Sequence, residues 1–229
     1  MVKYNKQLNA RYFKNLTSKG FDRMRDSTGF NLWADEYDSS VAFTEESNEY
    51  PFASYREVLN TVYNAARQVS GNILDIGFGT GFLTKKLYDD GYKVYGLDFS
   101  PRMIELAREK MPTATLLEWD FSNGLPDKLK EITFSAIIAT YSIHHIDDTQ
   151  KAAFVRELMN SLAPNGSIIF GDVSFETRAD MLAARERAGD EWDNEEFYLI
   201  ADEFVLLLPE FKVSFEKKSY CSGVMTITR

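Results

Sequence analysis

The chain of 229 residues has little of what disulfide-rich, membrane-spanning or nucleic-acid-binding proteins need. It has one cysteine, two histidines and six prolines. The lone Cys221 excludes an intramolecular disulfide framework and suits a reducing compartment. No apolar run approaches the roughly 20 residues that span a bilayer, and the N-terminus has no signal-peptide core. A cytoplasmic chain without a membrane partner is expected. Basic residues are outnumbered 26 to 35, for a net charge of −9, and no basic stripe exceeds that of Glu216-Lys217-Lys218. Nucleic-acid partners are therefore disfavoured. There is no internal repeat and no low-complexity linker. At 44% hydrophobic and 27% charged, a chain of this length buries a sizeable core and suits one domain.

What the chain does have is concentrated in ILDIGFGTGFLTKKL, residues 73–87, and VYGLDFS, residues 94–100. A run of branched apolar residues ends in Asp75. Gly77, Gly79 and Gly81 follow at every second position, then an amphipathic stretch, then a second apolar run ending in Asp98. Strand, glycine turn, helix, strand and acid make half of a nucleotide-binding α/β sheet. Glycines serve where the backbone takes positive φ or lets a ligand lie on the main chain. A carboxylate ending the second strand can accept hydrogen bonds from both hydroxyls of a ribose. The spacing G-x-G-x-G differs from the G-x-G-x-x-G of dinucleotide folds.

The alternation continues along the chain. Helical spacing of Val58, Leu59, Val62, Tyr63 and Ala66 predicts a helix before the first strand, Ile73–Ile76. A helix over Phe82–Asp90 ends at Gly91, and the second strand is Lys93–Leu97. Ser100 and Pro101 start the next helix, which stops before Pro112. Strands follow near Ala114–Glu118 and at Phe134–Thr140, the latter apolar on both faces. Asp147 or Asp148 caps a helix to Ala163, and Pro164-Asn165-Gly166 turns into a fifth strand, Ser167–Phe170. Two last runs, Phe211–Tyr220 and Gly223–Thr228, can pair as a hairpin. The expected layout is one α/β domain. Residues 1–70 are a helical lead-in and lid, 71–174 the cofactor-binding core, 175–208 a helical insertion or cap, and 209–229 the hairpin.

ILDIGFGTG, the acid in GLDFSPRMIELAREKM, Trp119-Asp120-Phe121 and LAPNGSIIFGD together resemble a class I S-adenosylmethionine-dependent methyltransferase. WAxxYD (Trp33-Ala34, Tyr37-Asp38), the GTG and LTKKL of residues 79–87, Val94-Tyr95-Gly96 and the Thr140-Tyr141 and His144-His145 segment resemble the small YrrT-type methyltransferases in particular. The resemblance covers the chain after about Phe30. It implies a Rossmann-like, mostly parallel seven-stranded sheet of order 3-2-1-4-5-7-6, with helices on both faces. It implies S-adenosylmethionine as cofactor and S-adenosylhomocysteine as product. Its cofactor contacts fall at Gly77, Asp98 and Asp120; Gly79 and Gly81 complete the loop. The family usually carries Glu at Asp75 and at Asp98, so here the charge is kept and the reach shortened.

Each residue has a job in that reading and a plainer alternative. Asp75 would face the methionine ammonium through water, or simply end a strand. Asp98 would hold the ribose, or cap the helix at Ser100. Asp120 would accept from the adenine amine, with Phe99 or Phe121 on the ring face or in the core. Tyr37 would close over the methionine end, with Trp33 packing beside it. His144 and His145 lie past the fourth strand, where a general base would sit; the alternative is structural. Without a Cys or Glu partner at ligand spacing they make a poor metal site, and no metal is predicted. Asp172 and Phe175 are placed at the same mouth and could touch substrate; residues 176–208 would form a substrate cap with Trp192, Phe197 and Tyr198 as pocket aromatics, or an ordinary amphipathic helix pair. The reaction expected is in-line methyl transfer to a small-molecule acceptor. A non-catalytic cofactor-binding protein and a nicotinamide-dependent oxidoreductase are the alternatives.

Overall fold

The computed structural model describes residues 48–229. Trp33, Tyr37 and the rest of residues 1–47 lie outside the described residues. Helix α1 (Tyr55–Ala66) buries the five residues that its apolar spacing marks, Val58, Leu59, Val62, Tyr63 and Ala66. Strand β1 (Asn72–Ile76), helix α2 (Phe82–Asp89), strand β2 (Lys93–Asp98), helix α3 (Pro101–Lys110) and strand β3 (Thr115–Glu118) follow. A short helix α4 (Asp127–Lys130) precedes β4 (Phe134–Thr140), α5 (Asp148–Asn160) and β5 (Leu162–Phe175). Then come α6 (Arg178–Ala188), β6 (Leu199–Ile200), α7 (Ala201–Phe204), β7 (Lys212–Lys217) and β8 (Ser222–Thr228).

The strands form one sheet of order β3-β2-β1-β4-β5-β8-β7, with β6 paired to β5 beside this path. That is the expected 3-2-1-4-5-7-6 order once the two-residue β6 takes a place in the count. β1 to β5 run parallel, and β8 joins β5 antiparallel. Alternate residues of the central strands feed opposite layers. Leu74, Ile76, Ile137 and Ala139 pack with Phe154, Val155 and Leu158 of α5. Ile73, Ala136 and Ile138 pack with residues of α1, α2 and α3. Among the described residues, no helix is long and apolar enough to cross a membrane.

Two boundaries differ from expectation for identifiable reasons. Pro164-Asn165-Gly166 lies within β5, where the β4 register jumps from Phe134↔Leu162 to Ala136↔Ser167. The turn-forming residues bulge out of the ladder. At its other end β5 runs past Phe170 to Phe175, because β8 pairs with it as far as Val173 and β6 takes Ser174 and Phe175. After α6 the insertion breaks at Gly189 and holds only short helical turns, the two-residue β6 and the short α7. Capping is as the sequence dictates: Ser100 Oγ accepts from the Met103 amide at 3.2 Å, and Asp147 with Gln150 forms a capping box on α5.

Candidate functional site

The parallel strands bring their carboxyl ends to one edge, and each expected site residue other than Tyr37 is described there. Gly77, Gly79 and Gly81 all have positive φ, +67°, +57° and +77°. At Gly77 a Cβ would come within 2.4 Å of Ser142 Cβ, so the loop after β1 sits directly on the loop after β4. At Gly79 a Cβ would meet nothing within 4 Å. Its backbone faces open space, which is what a ligand lying on the main chain requires.

Asp98 ties that loop to the next helix. Its carboxylate accepts from the Gly79 amide at 2.8 Å and from the Ser100 amide at 2.9 Å. Burial pushes its pKa up to about 6 against the pull of those two bonds. Both expected roles are thus open to it, since a carboxylate has about four lone-pair positions and these bonds use two.

Asp75 is buried, and Thr84 Oγ1 donates to its Oδ2 at 2.5 Å. Its Oδ1 is buried with no hydrogen-bond partner. Burial, opposed by the Thr84 bond and reinforced by the Asp98 charge, raises its pKa to about 7. An orphaned carboxylate oxygen is costly unless something satisfies it, and an ammonium is the group it suits. The residues present therefore fit the amino-acid end of S-adenosylmethionine.

Asp120 is exposed beyond β3, and its Oδ1 accepts from the Ser122 amide at 2.9 Å. Phe121 is buried and stacked on Phe154 with centroids 6.0 Å apart; its edge also lies 3.8 Å from where a Gly77 Cβ would stand. Phe99 is half-buried next to Asp98.

The two histidines have different surroundings. His144 is buried, its Nδ1 2.6 Å from Asp172 Oδ1 and its Nε2 3.4 Å from Glu196 Oε1. Burial works to lower its pKa, but the charges of Asp172 and Glu196 and the Asp172 hydrogen bond outweigh it. The ring is raised to about 9. His145 has its ring 4.3 Å from that of His144 and is exposed. Asp172 also accepts from the Ile143 amide at 3.1 Å, so it braces the histidine turn from β5.

Glu196 is the residue that the sequence left out of the site. It lies far along the chain, in the insertion, and no local pattern links it to His144. The fold supplies the link. The Phe197 amide donates to the His144 carbonyl at 2.9 Å, and buried Lys151 Nζ donates to the Phe197 carbonyl at 2.5 Å. The premise that no carboxylate accompanies the histidines is thereby corrected. Trp192 and Tyr198 of the insertion pack on Tyr50 and Phe175, whereas Phe197 is largely exposed. Phe175 is fully buried in that aromatic group. Phe52, Tyr55 and Tyr141 form a second, half-buried group, with Tyr141 5.0 Å from Tyr55 and 5.2 Å from Phe52.

Comparison with known proteins bears on this geometry. A methyltransferase domain profile matches residues 73–166. An uncharacterized methyltransferase of Geobacillus sp. (strain WCH70) is 34% identical over 207 residues, which are 86% of this chain and 94% of the relative. The chain belongs to the class I S-adenosylmethionine-dependent methyltransferases. A further methyltransferase, from Anoxybacillus flavithermus, is 39% identical over 70% of this methyltransferase and 74% of its own length. Among solved structures, a complex of DhpI with SAM and HEP is 19% identical with a TM-score of 0.64, covering 88% of this chain and 95% of that one. A Pyrococcus horikoshii protein is 23% identical with a TM-score of 0.62, covering 79% and 92%. These two share the fold.

Proposed function

We propose that this methyltransferase moves the sulfonium methyl to a small-molecule acceptor by in-line displacement. The acceptor would lie between His145 and the group of Phe52, Tyr55 and Tyr141. The observation that carries the reading is the open approach over Gly79 between two buried carboxylates, Asp75 and Asp98. When bound, S-adenosylmethionine supplies an electrophilic methyl on a good leaving group. Asp75 Oδ1 holds the ammonium, Asp98 the ribose hydroxyls and Asp120 the adenine amine, with Phe99 and Phe121 flanking the ring. Gly77, Gly79 and Gly81 give the backbone its curvature, and Tyr37 closes over the methionine end. The chain's main contribution is alignment, where oriented intramolecular reactions reach effective molarities of about 10⁵–10⁸ M. His145 is the imidazole placed to take a proton from an acceptor that has one to lose. Although the residue is exposed, partial desolvation and then the His144 charge hold its ring below the ordinary imidazole value, so it is neutral at pH 7. His144 stays with Asp172 and positions the turn. The net charge of −9 supports a small acceptor over nucleic acid, and the lone buried Cys221 suits a reducing cytoplasm.

The test is release of labelled methyl from S-adenosylmethionine to a panel of small hydroxyl, amine and thiol acceptors, with S-adenosylhomocysteine binding followed by calorimetry. Turnover that Asp98→Ala abolishes through a loss of cofactor affinity supports the assignment. Tight cofactor binding with no methyl release to any acceptor class would favour a non-catalytic binder.

A further inference from the structure

Glu196 gives the two histidines a partner of a different chemical kind. One ligand atom from each of His144, His145 and Glu196 falls within 4.8 Å of the other two. Among the described residues this is the one group of three such side chains. We propose that His144, His145 and Glu196 form a binding site for one borderline divalent transition-metal ion, of which Zn²⁺ is the type. The donor set decides the class of ion. Two imidazole nitrogens and one carboxylate oxygen suit Zn²⁺ or Co²⁺, whereas Mg²⁺ and Ca²⁺ take oxygen ligands.

The geometry agrees. Ligand bonds of about 2.0–2.2 Å put neighbouring donor atoms of a tetrahedral ion roughly 3.4 Å apart. His144 Nε2 and Glu196 Oε1 already stand at 3.4 Å. Metal-ligating histidines characteristically hand their other ring nitrogen to a carboxylate, which fixes the ring. His144 Nδ1 does this with Asp172 at 2.6 Å. Glu196 is held from behind by the Phe197 bonds to His144 and Lys151. The surrounding field also favours a cation: Asp172 and Asp193 act on the cluster alongside Glu196, and Lys151, which opposes them, is itself paired with Asp148 at 2.9 Å. Three protein ligands leave a coordination position open, the pattern of catalytic rather than structural zinc. On the function proposed above, that position would face the acceptor. With the ion bound, His145 is a ligand rather than the proton acceptor, and a hydroxyl or thiol bound there would give its proton to solvent at neutral pH. The metal site itself does not depend on which acceptor the enzyme takes.

The experiment uses the full chain, freed of metal by chelator and titrated with Co²⁺ while visible absorption is recorded, with Zn²⁺ as competitor. One equivalent should bind saturably and be displaced by Zn²⁺. His145→Ala and Glu196→Gln should each weaken binding at least tenfold, and Asp172→Asn by about 10–100-fold. Stabilisation by S-adenosylhomocysteine in the same samples identifies the variants that are folded. Absence of saturable Co²⁺ binding by the unaltered chain, or unchanged binding by folded Glu196→Gln, would overturn the proposal.

Discussion

Gly77 and Gly79 share a backbone conformation but differ in what surrounds them. Alanine at either must adopt positive φ, at about 1–2 kcal/mol. At Gly77 it also strikes Ser142, so Gly77→Ala should lower the melting temperature markedly. At Gly79 the chain leaves room, so Gly79→Ala should lose only the stability that the backbone strain costs, less than Gly77→Ala, and lose cofactor affinity as well. Thermal melts paired with calorimetric titration of S-adenosylhomocysteine separate the two. Equal losses in both measurements for both variants would contradict the assignment of the open space to cofactor. Asp75 gives a pH signature. Its carboxyl ionises near 3.8 in the unfolded chain and near 7 when folded without ligand. The folded state therefore holds a proton that the unfolded state releases, and this stabilisation is lost as pH rises from about 4 through 7. An ammonium beside Oδ1 favours the ionised form. Cofactor affinity should thus rise up to about pH 7, by at most tenfold per unit, and then level. Asp75→Asn should flatten that profile, leaving the shallower dependence below about 6 that belongs to Asp98; an unaltered slope would rule the assignment out.

At the scale of elements, α5 and the segment that leads into β6 are joined by one buried amine. Lys151 Nζ reaches both Asp148 and the Phe197 carbonyl. Lys151→Met keeps the volume and leaves that carbonyl without its donor, at about 1–3 kcal/mol. At roughly 2–4 °C per kcal/mol for a chain this size, the melting temperature should fall by about 2–12 °C. Affinity for S-adenosylhomocysteine should not change, because the glycine loop is untouched; a melting temperature equal to the parent's would show that the amine carries no structural role. The same pair of elements marks where the sequence stops being legible. Period-2 and period-3.6 patterns and capping residues identified β1, β2, β4, α2 and α3 to within a residue or so, and the buried face of α1 without its bounds, since those signals are local. β6 and the 144–196 pairing depend on contacts across most of the insertion. The charged run of residues 183–196 offered helical periodicity without revealing that it breaks at Gly189. The glycine loop with Asp75 and Asp98 is written locally and was readable; the approach of Glu196 to His144 is assembled by tertiary contact and was not.

For the molecule as a whole, the glycine loop and the histidine turn are built on one sheet. Ligand binding to the folded state alone adds about 2.7 kcal/mol at a concentration 100 times the dissociation constant. S-adenosylhomocysteine at that level should raise the melting temperature by about 5–11 °C, and NAD should leave it unmoved. A shift with NAD but none with S-adenosylhomocysteine would contradict the cofactor choice.

The contact between Ser142 and Gly77 has a consequence at this scale. Ser142 Oγ donates to the Ile76 carbonyl at 2.7 Å, and its Cβ occupies the space that a side chain on Gly77 would claim. The strand that ends in the donor loop and the strand that leads to the histidines are pinned one serine apart. Since about 1 Å of misplacement can slow such a transfer 10²-fold, the gap that a methyl group would cross in the proposed arrangement is gauged by this small residue. A change there can leave each partner well bound and still leave them out of reach of one another.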